Sequence, residues 1–62
     1  MYRIMLADDE GIVIDSLKFI IKKEFGDLCE IQYAKTGRSV IELAESFRPD
    51  IAVMDIQMPG IN

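Results

Sequence analysis

The stretch RPDIAVMDIQMPGIN, residues 48–62, carries the pattern from which the fold can be predicted. Residues 50–55 form a short, nearly unbroken apolar run that ends on Asp55, which is typical of a strand buried on both faces of a parallel sheet. Met58, Pro59 and Gly60 follow as a loop, because proline and glycine favour turns. The sequence therefore predicts a strand that delivers a carboxylate to the end of a sheet.

A second apolar run lies at the start of the chain. Residues 2–7, YRIMLA, precede Asp8 and Asp9 and have the length and composition of another buried strand. The next segment, residues 10–26, is predicted to be a helix that ends at Gly26, with Lys22 and Lys23 in its last turns. The apolar face predicted for that helix comprises Val13, Leu17, Ile20 and Ile21, at helical spacing.

The middle of the chain repeats this alternation. Residues 30–36, EIQYAKT, fit an edge strand, and Thr36 is a suitable N-cap for a second helix. Val40, Leu43, Ala44 and Phe47 recur at helical spacing, and Pro49 stops that helix because the residue before a proline disfavours helical backbone. The order strand, helix, strand, helix, strand predicts an α/β fold with a parallel sheet and right-handed crossovers.

The composition limits what holds this chain together. At 62 residues, it buries only about 60% of the surface exposed on unfolding, so its core is small. One cysteine and no histidine exclude an internal disulfide, a zinc cage and histidine-dependent triads. Half of the residues are nevertheless hydrophobic. Either the chain is part of a larger domain, or a second copy completes its core.

Net charge and hydropathy limit the partners and the cellular location that can be expected for the chain. The net charge of −4 argues against nucleic-acid binding by this segment. No apolar run approaches the roughly 20 residues needed to span a bilayer, and the start of the chain lacks the features of a signal peptide. A single cysteine fits a reducing cytoplasm, with Cys29 interpreted as a small core residue.

The carboxylates at the strand ends predict a site. In a doubly wound sheet of order 2-1-3, the first and third strands are neighbours, so Asp8 and Asp55 should meet at one crevice. Asp9 joins them, whereas Glu10 starts the helix and is expected to be peripheral. Crowded carboxylates favour a hard divalent cation such as Mg²⁺, and a carboxylate can also attack phosphorus to form an aspartyl-phosphate.

At these residues the sequence resembles the receiver domains of two-component response regulators. The matching stretches are IMLADDE and IAVMDIQMPGIN. The resemblance implies a flavodoxin-like fold, with Asp55 accepting a phosphoryl group from a histidine kinase and with Mg²⁺ held by Asp8, Asp9 and Asp55. It also implies that Gln57 supplies its backbone carbonyl to the metal, and that the chain is a phosphoacceptor and not an enzyme.

The resemblance covers the β-α-β-α-β first half of the family's domain. Residues 1–62 are accordingly expected to be the N-terminal half of a receiver, without its second half or a DNA-binding output domain, and with impaired phosphorylation. In the family, a lysine on the fifth strand contacts the phosphoryl group, and we assign none of Lys18, Lys22, Lys23 and Lys35 that role. The third strand would be a bare edge here, which predicts a homodimer or larger assembly. The alternative function is a self-associating half-domain without retained chemistry.

Overall fold

The computed structural model describes residues 1–55 and 57, and it has three strands and two long helices in that part of the chain. Strands β1, β2 and β3 are Tyr2–Ala7, Cys29–Ala34 and Ile51–Met54. Helices α1 and α2 are Gly11–Phe25 and Gly37–Phe47, and a short 3-10 turn at Gly26–Leu28 leads from α1 into β2. The predictions for Met58, Pro59 and Gly60 lie outside the described residues.

The sheet is parallel throughout and has the order β2-β1-β3. In the register, Ala7 pairs with Ala34 of β2 on one side and with Met54 of β3 on the other. The predicted α/β fold, a half of a flavodoxin-like doubly wound sheet with order 2-1-3, is therefore confirmed. Because all three strands are parallel, their carboxyl ends lie at one edge of the sheet.

The two helices cover opposite faces of the sheet, because successive side chains of a strand point to opposite sides. On the α1 face, a buried cluster consists of Ile4, Leu6, Ile14 and Cys29. On the α2 face, a second buried cluster consists of Met5, Ala7, Ala34, Val40 and Phe47. Strand β1 contributes to both clusters, which explains its unbroken apolar sequence, and the core position predicted for Cys29 is confirmed.

The predicted inner face of α1 was partly wrong. Ile14 is the buried residue at its centre, with 1% of its surface exposed, and Leu17 and Ile21 pack beside it. Ile20 is 55% exposed, and Val13 is only half-buried. The helix carries apolar residues on two overlapping faces, and contact with a three-stranded sheet selects the one centred on Ile14.

The predicted helix ends are confirmed. Gly26 caps α1 with a positive φ of 54°, which glycine adopts without steric cost, and its N–H donates to the Lys22 carbonyl. Thr36 begins α2 with a capping box, in which Ser39 N–H donates to Thr36 Oγ1 at 3.1 Å. Arg48, the residue before Pro49, has left-handed backbone and ends α2.

Strand β3 differs from the prediction of a buried strand. All four of its residues are exposed, with Ile51 at 51%, Val53 at 42% and Met54 at 41%. The reason is its position, because β3 pairs with β1 along one edge and forms the border of the described sheet. Among the described residues β3 has no second neighbouring strand, as the sequence led us to expect.

Candidate functional site

The first part of the site is the turn between β1 and α1. Asp8 is half-buried at the end of β1, and its N–H donates to the Ala34 carbonyl of β2 at 3.2 Å. Its side-chain Oδ1 accepts the Glu10 N–H at 2.9 Å, so Asp8 shapes the turn that starts the helix. Asp9 and Glu10 are exposed on that turn. The turn thus fixes the Asp8 carboxylate and leaves its neighbours open to solvent.

Three carboxylates of this turn form a cluster, which we call the acidic turn. Asp8, Asp9 and Glu10 each offer an oxygen, and these oxygens all lie within 4.8 Å of one another. Glu10 was expected to be peripheral, but its carboxylate is a member of the cluster. The N-cap position holds Glu10 beside its neighbours, and the run of three acids in the sequence was the signal for this arrangement. Such a set of oxygens suits a hard cation.

Asp55 lies at the end of the adjacent strand. It is half-buried, and its N–H donates to the Ala7 carbonyl at 2.9 Å, which extends the β1–β3 pairing by one residue. Its Oδ1 accepts the N–H of the exposed residue Gln57 at 2.9 Å. The backbones of Asp8 and Asp55 therefore follow paired residues, Ala7 and Met54. Asp55 is adjacent to the acidic turn but is not among the three residues clustered within 4.8 Å.

A lysine also lies near the acidic turn. Lys35 directly follows β2, and its side chain passes over Gly11, the first residue of α1. A Cβ placed on Gly11 would lie 3.2 Å from Lys35 Nζ and 3.8 Å from its Cε. The sequence did not predict this approach, because it depends on the path of one flexible side chain.

These side chains permit a limited range of chemistry. The acidic turn and Asp55 offer carboxylate oxygens at one edge of the sheet, which can bind a hard cation or attack an electrophile. The single thiol, Cys29, is buried near the opposite ends of the strands and takes no part. No helix in the described part of the chain combines the length and apolar character needed to cross a membrane.

Several known proteins are similar in sequence to this chain. The chain is 40% identical over 62 residues to a protein-glutamate methylesterase/protein-glutamine glutaminase 2 of Methanospirillum hungatei, covering all of this chain and 17% of that protein. It is 37% identical over 62 residues to the uncharacterized transcriptional regulatory protein YesN of Bacillus subtilis, again covering 17% of the relative. A sensory transduction protein LytT of Oceanobacillus iheyensis is 32% identical over 95% of this chain and 24% of its own length.

These relatives are much longer than the part they share with this chain, so the similarity concerns one segment of each. No solved structure gives a significant match. The sequence model of the response regulator receiver domain, in contrast, matches residues 4–62, a range that includes both helices and Asp55. Together with the parallel β2-β1-β3 sheet and the acids at its carboxyl edge, this match establishes that the chain belongs to the response regulator receiver domain family.

Proposed function

We propose that the chain is a cytoplasmic phosphoacceptor module in which Asp55 takes a phosphoryl group from a histidine kinase. In this step a carboxylate oxygen of Asp55 forms a bond to phosphorus while the bond from phosphorus to the kinase histidine breaks. The departing imidazole nitrogen recovers a proton from solvent. The chain acts in this reaction as the acceptor of the group and does not turn over a separate substrate.

Mg²⁺ is the cofactor that this proposal requires. Asp8 and Asp9, a carboxylate oxygen of Asp55 and the backbone carbonyl of Gln57 would hold it. The oxygen-only donor set of the acidic turn fits this ion, which takes carboxylates, carbonyls and waters. When bound, Mg²⁺ supplies positive charge to the phosphoryl oxygens.

The hydrogen bond from Asp55 N–H to the Ala7 carbonyl is the observation that carries the proposal. It continues the parallel pairing of β1 and β3 to the residue where each strand ends in an aspartate. The proposed nucleophile and the proposed cation-binding turn therefore share one edge of the sheet. The Gln57 N–H bond to Asp55 Oδ1 further holds the carboxylate in one orientation.

A titration with MgCl₂ and then beryllofluoride, followed by amide NMR, tests the proposal. We expect saturable shifts at Asp8, Asp9 and Asp55 with Mg²⁺ and a second set of shifts with beryllofluoride, because this anion mimics a phosphoryl group on a carboxylate. The Asp55→Asn variant removes the nucleophilic oxygen and should lose the second set. Beryllofluoride shifts that persist in Asp55→Asn would contradict Asp55 as the acceptor.

The extent of the module is also a proposal. Residues 1–62 correspond to the N-terminal half of a receiver domain, which is supported by the three-stranded sheet and by the match over residues 4–62. The net charge of −4 supports a segment that does not bind nucleic acid. A DNA-binding output domain in the whole protein is part of the proposal; one relative is named as a transcriptional regulatory protein and another as a protein-glutamate methylesterase.

Self-association is a second candidate function of the 62-residue chain, and the exposed edge of β3 favours it. Beyond its pairing with β1, this strand presents backbone groups and the apolar side chains of Ile51, Val53 and Met54. Ile51 also borders an apolar depression formed with Tyr2, Phe25 and Leu28. A homodimer or larger assembly through β3 would cover these groups.

A further inference from the structure

Lys35 brings a positive charge to the start of α1. Its Nζ lies 3.2 Å from where a Cβ of Gly11 would stand, so the ammonium lies close beside the first residue of the helix. Gly11 directly follows Glu10, the last member of the acidic turn. Ala34, which precedes Lys35, accepts the Asp8 N–H at 3.2 Å, so the backbone of Lys35 is tied to the same turn.

The local field explains why an ammonium lies there. The N-terminus of a helix carries a partial positive charge, which by itself repels a cation. The three carboxylates of the acidic turn, within 4.8 Å of one another, oppose that repulsion. Within residues 1–55 and 57, the ion pair at 4.0 Å or less is Arg38 with Glu42, so the Lys35 ammonium lies farther than 4.0 Å from the acids and acts on them through space.

We propose that Lys35 is a built-in counter-charge that sets the divalent-cation affinity of the acidic turn. This inference rests on the proposed metal site. A cation that binds at Asp8 and Asp9 meets the repulsion of an ammonium already held over Gly11. For an ammonium and a divalent ion roughly 6 to 12 Å apart in a water-like dielectric, Coulomb repulsion weakens binding of the ion roughly three- to tenfold.

Lys35→Gln tests the proposal, with Mg²⁺ alone as the probe. The variant should bind Mg²⁺ roughly three- to tenfold more tightly than the wild type at low ionic strength. The readout is the dissociation constant from the amide shifts of Asp8 and Asp9. Lys35→Arg, which keeps the charge, should remain near the wild-type value. In 0.5 M NaCl the difference should shrink, because the screening length falls well below about 10 Å.

Lys23→Gln is the matched control. It makes the same change of net charge at an exposed position in the last turn of α1, about 18 Å along the helix from Gly11. This variant should bind Mg²⁺ as the wild type does. Both substituted lysines are exposed, so both variants should retain the fold, which thermal unfolding by circular dichroism verifies.

The outcomes separate this inference from the proposed function. If the wild type binds Mg²⁺ and Lys35→Gln binds it no more tightly than Lys23→Gln, the proposed role of Lys35 is wrong, while the proposed metal site is still supported. If Lys35→Arg tightens binding as much as Lys35→Gln does, charge is not the cause and the inference is again wrong. If neither the wild type nor any variant shows saturable amide shifts with Mg²⁺, the proposed metal site is contradicted. The proposed role of Lys35 is then contradicted as well.

Discussion

At the scale of single residues, Asp8 has two roles that a substitution can separate. Its Oδ1 accepts the Glu10 N–H at 2.9 Å, and its charge adds to the repulsion within the acidic turn. Asparagine retains the oxygen acceptor and removes the charge. Asp8→Asn should therefore raise the free energy of unfolding of the metal-free chain by about 0.5 kcal/mol and weaken Mg²⁺ binding.

Urea denaturation in EDTA measures the first effect. Asp15→Asn, an exposed substitution on α1 away from the acidic turn, is the control for the general decrease in negative charge. A midpoint for Asp8→Asn that is lower than that of the wild type would count against mutual repulsion in the turn. A midpoint equal to that of Asp15→Asn would assign the effect to net charge alone.

The site illustrates what the sequence can predict at this scale. Asp8, Asp9 and Asp55 could be assigned to one edge because strand order determines where strand ends lie, and the backbone pairing of Ala7 with Met54 agrees with that assignment. Glu10 and Lys35 could not be assigned in the same way. Their positions depend on side-chain paths around a turn, which spacing in the sequence does not determine.

At the scale of secondary-structure elements, the ends of helices were predictable and the buried face of α1 was not. Gly26 and Thr36 act through local backbone hydrogen bonds that the residue types themselves favour. The face of α1, in contrast, depends on what packs against it. Apolar residues on several sides of that helix left the choice between Ile14 and Ile20 to the sheet.

The capping box of α2 gives a prediction for one element. Thr36 Oγ1 accepts the Ser39 N–H, and Ser39 Oγ accepts the Thr36 N–H, each at 3.1 Å. Thr36→Ala removes the first bond and also the 2.9 Å bond from Thr36 Oγ1 to Ser39 Oγ, so it should lower the free energy of unfolding by about 1 kcal/mol. Thr36→Ser keeps the hydroxyl and should stay near the wild type. Equal urea midpoints for Thr36→Ala and Thr36→Ser would contradict the capping role.

At the scale of the whole molecule, burial is concentrated on the central strand. Leu6 of β1 is 0% exposed, whereas every residue of β3 is exposed. The described sheet thus has one well-covered strand between two borders, β2 and β3. The borders differ in side-chain chemistry, since Glu30 and Gln32 of β2 are exposed polar residues and β3 is apolar. Polar and charged edges discourage pairing between chains, so β3 is the border at which a second copy should add.

A charge placed on β3 tests this assignment. Val53 is 42% exposed and pairs with Leu6, so Val53→Lys places a positive charge on the border strand without removing a buried side chain. The wild-type chain should be a dimer or larger by light scattering at micromolar concentration, and Val53→Lys should shift it toward the monomer. Gln32→Lys adds the same charge to β2 and should leave the assembly intact. A wild-type chain that unfolds cooperatively as a monomer would contradict self-association. An assembly that is lost in Gln32→Lys but retained in Val53→Lys would indicate that the interface lies at β2.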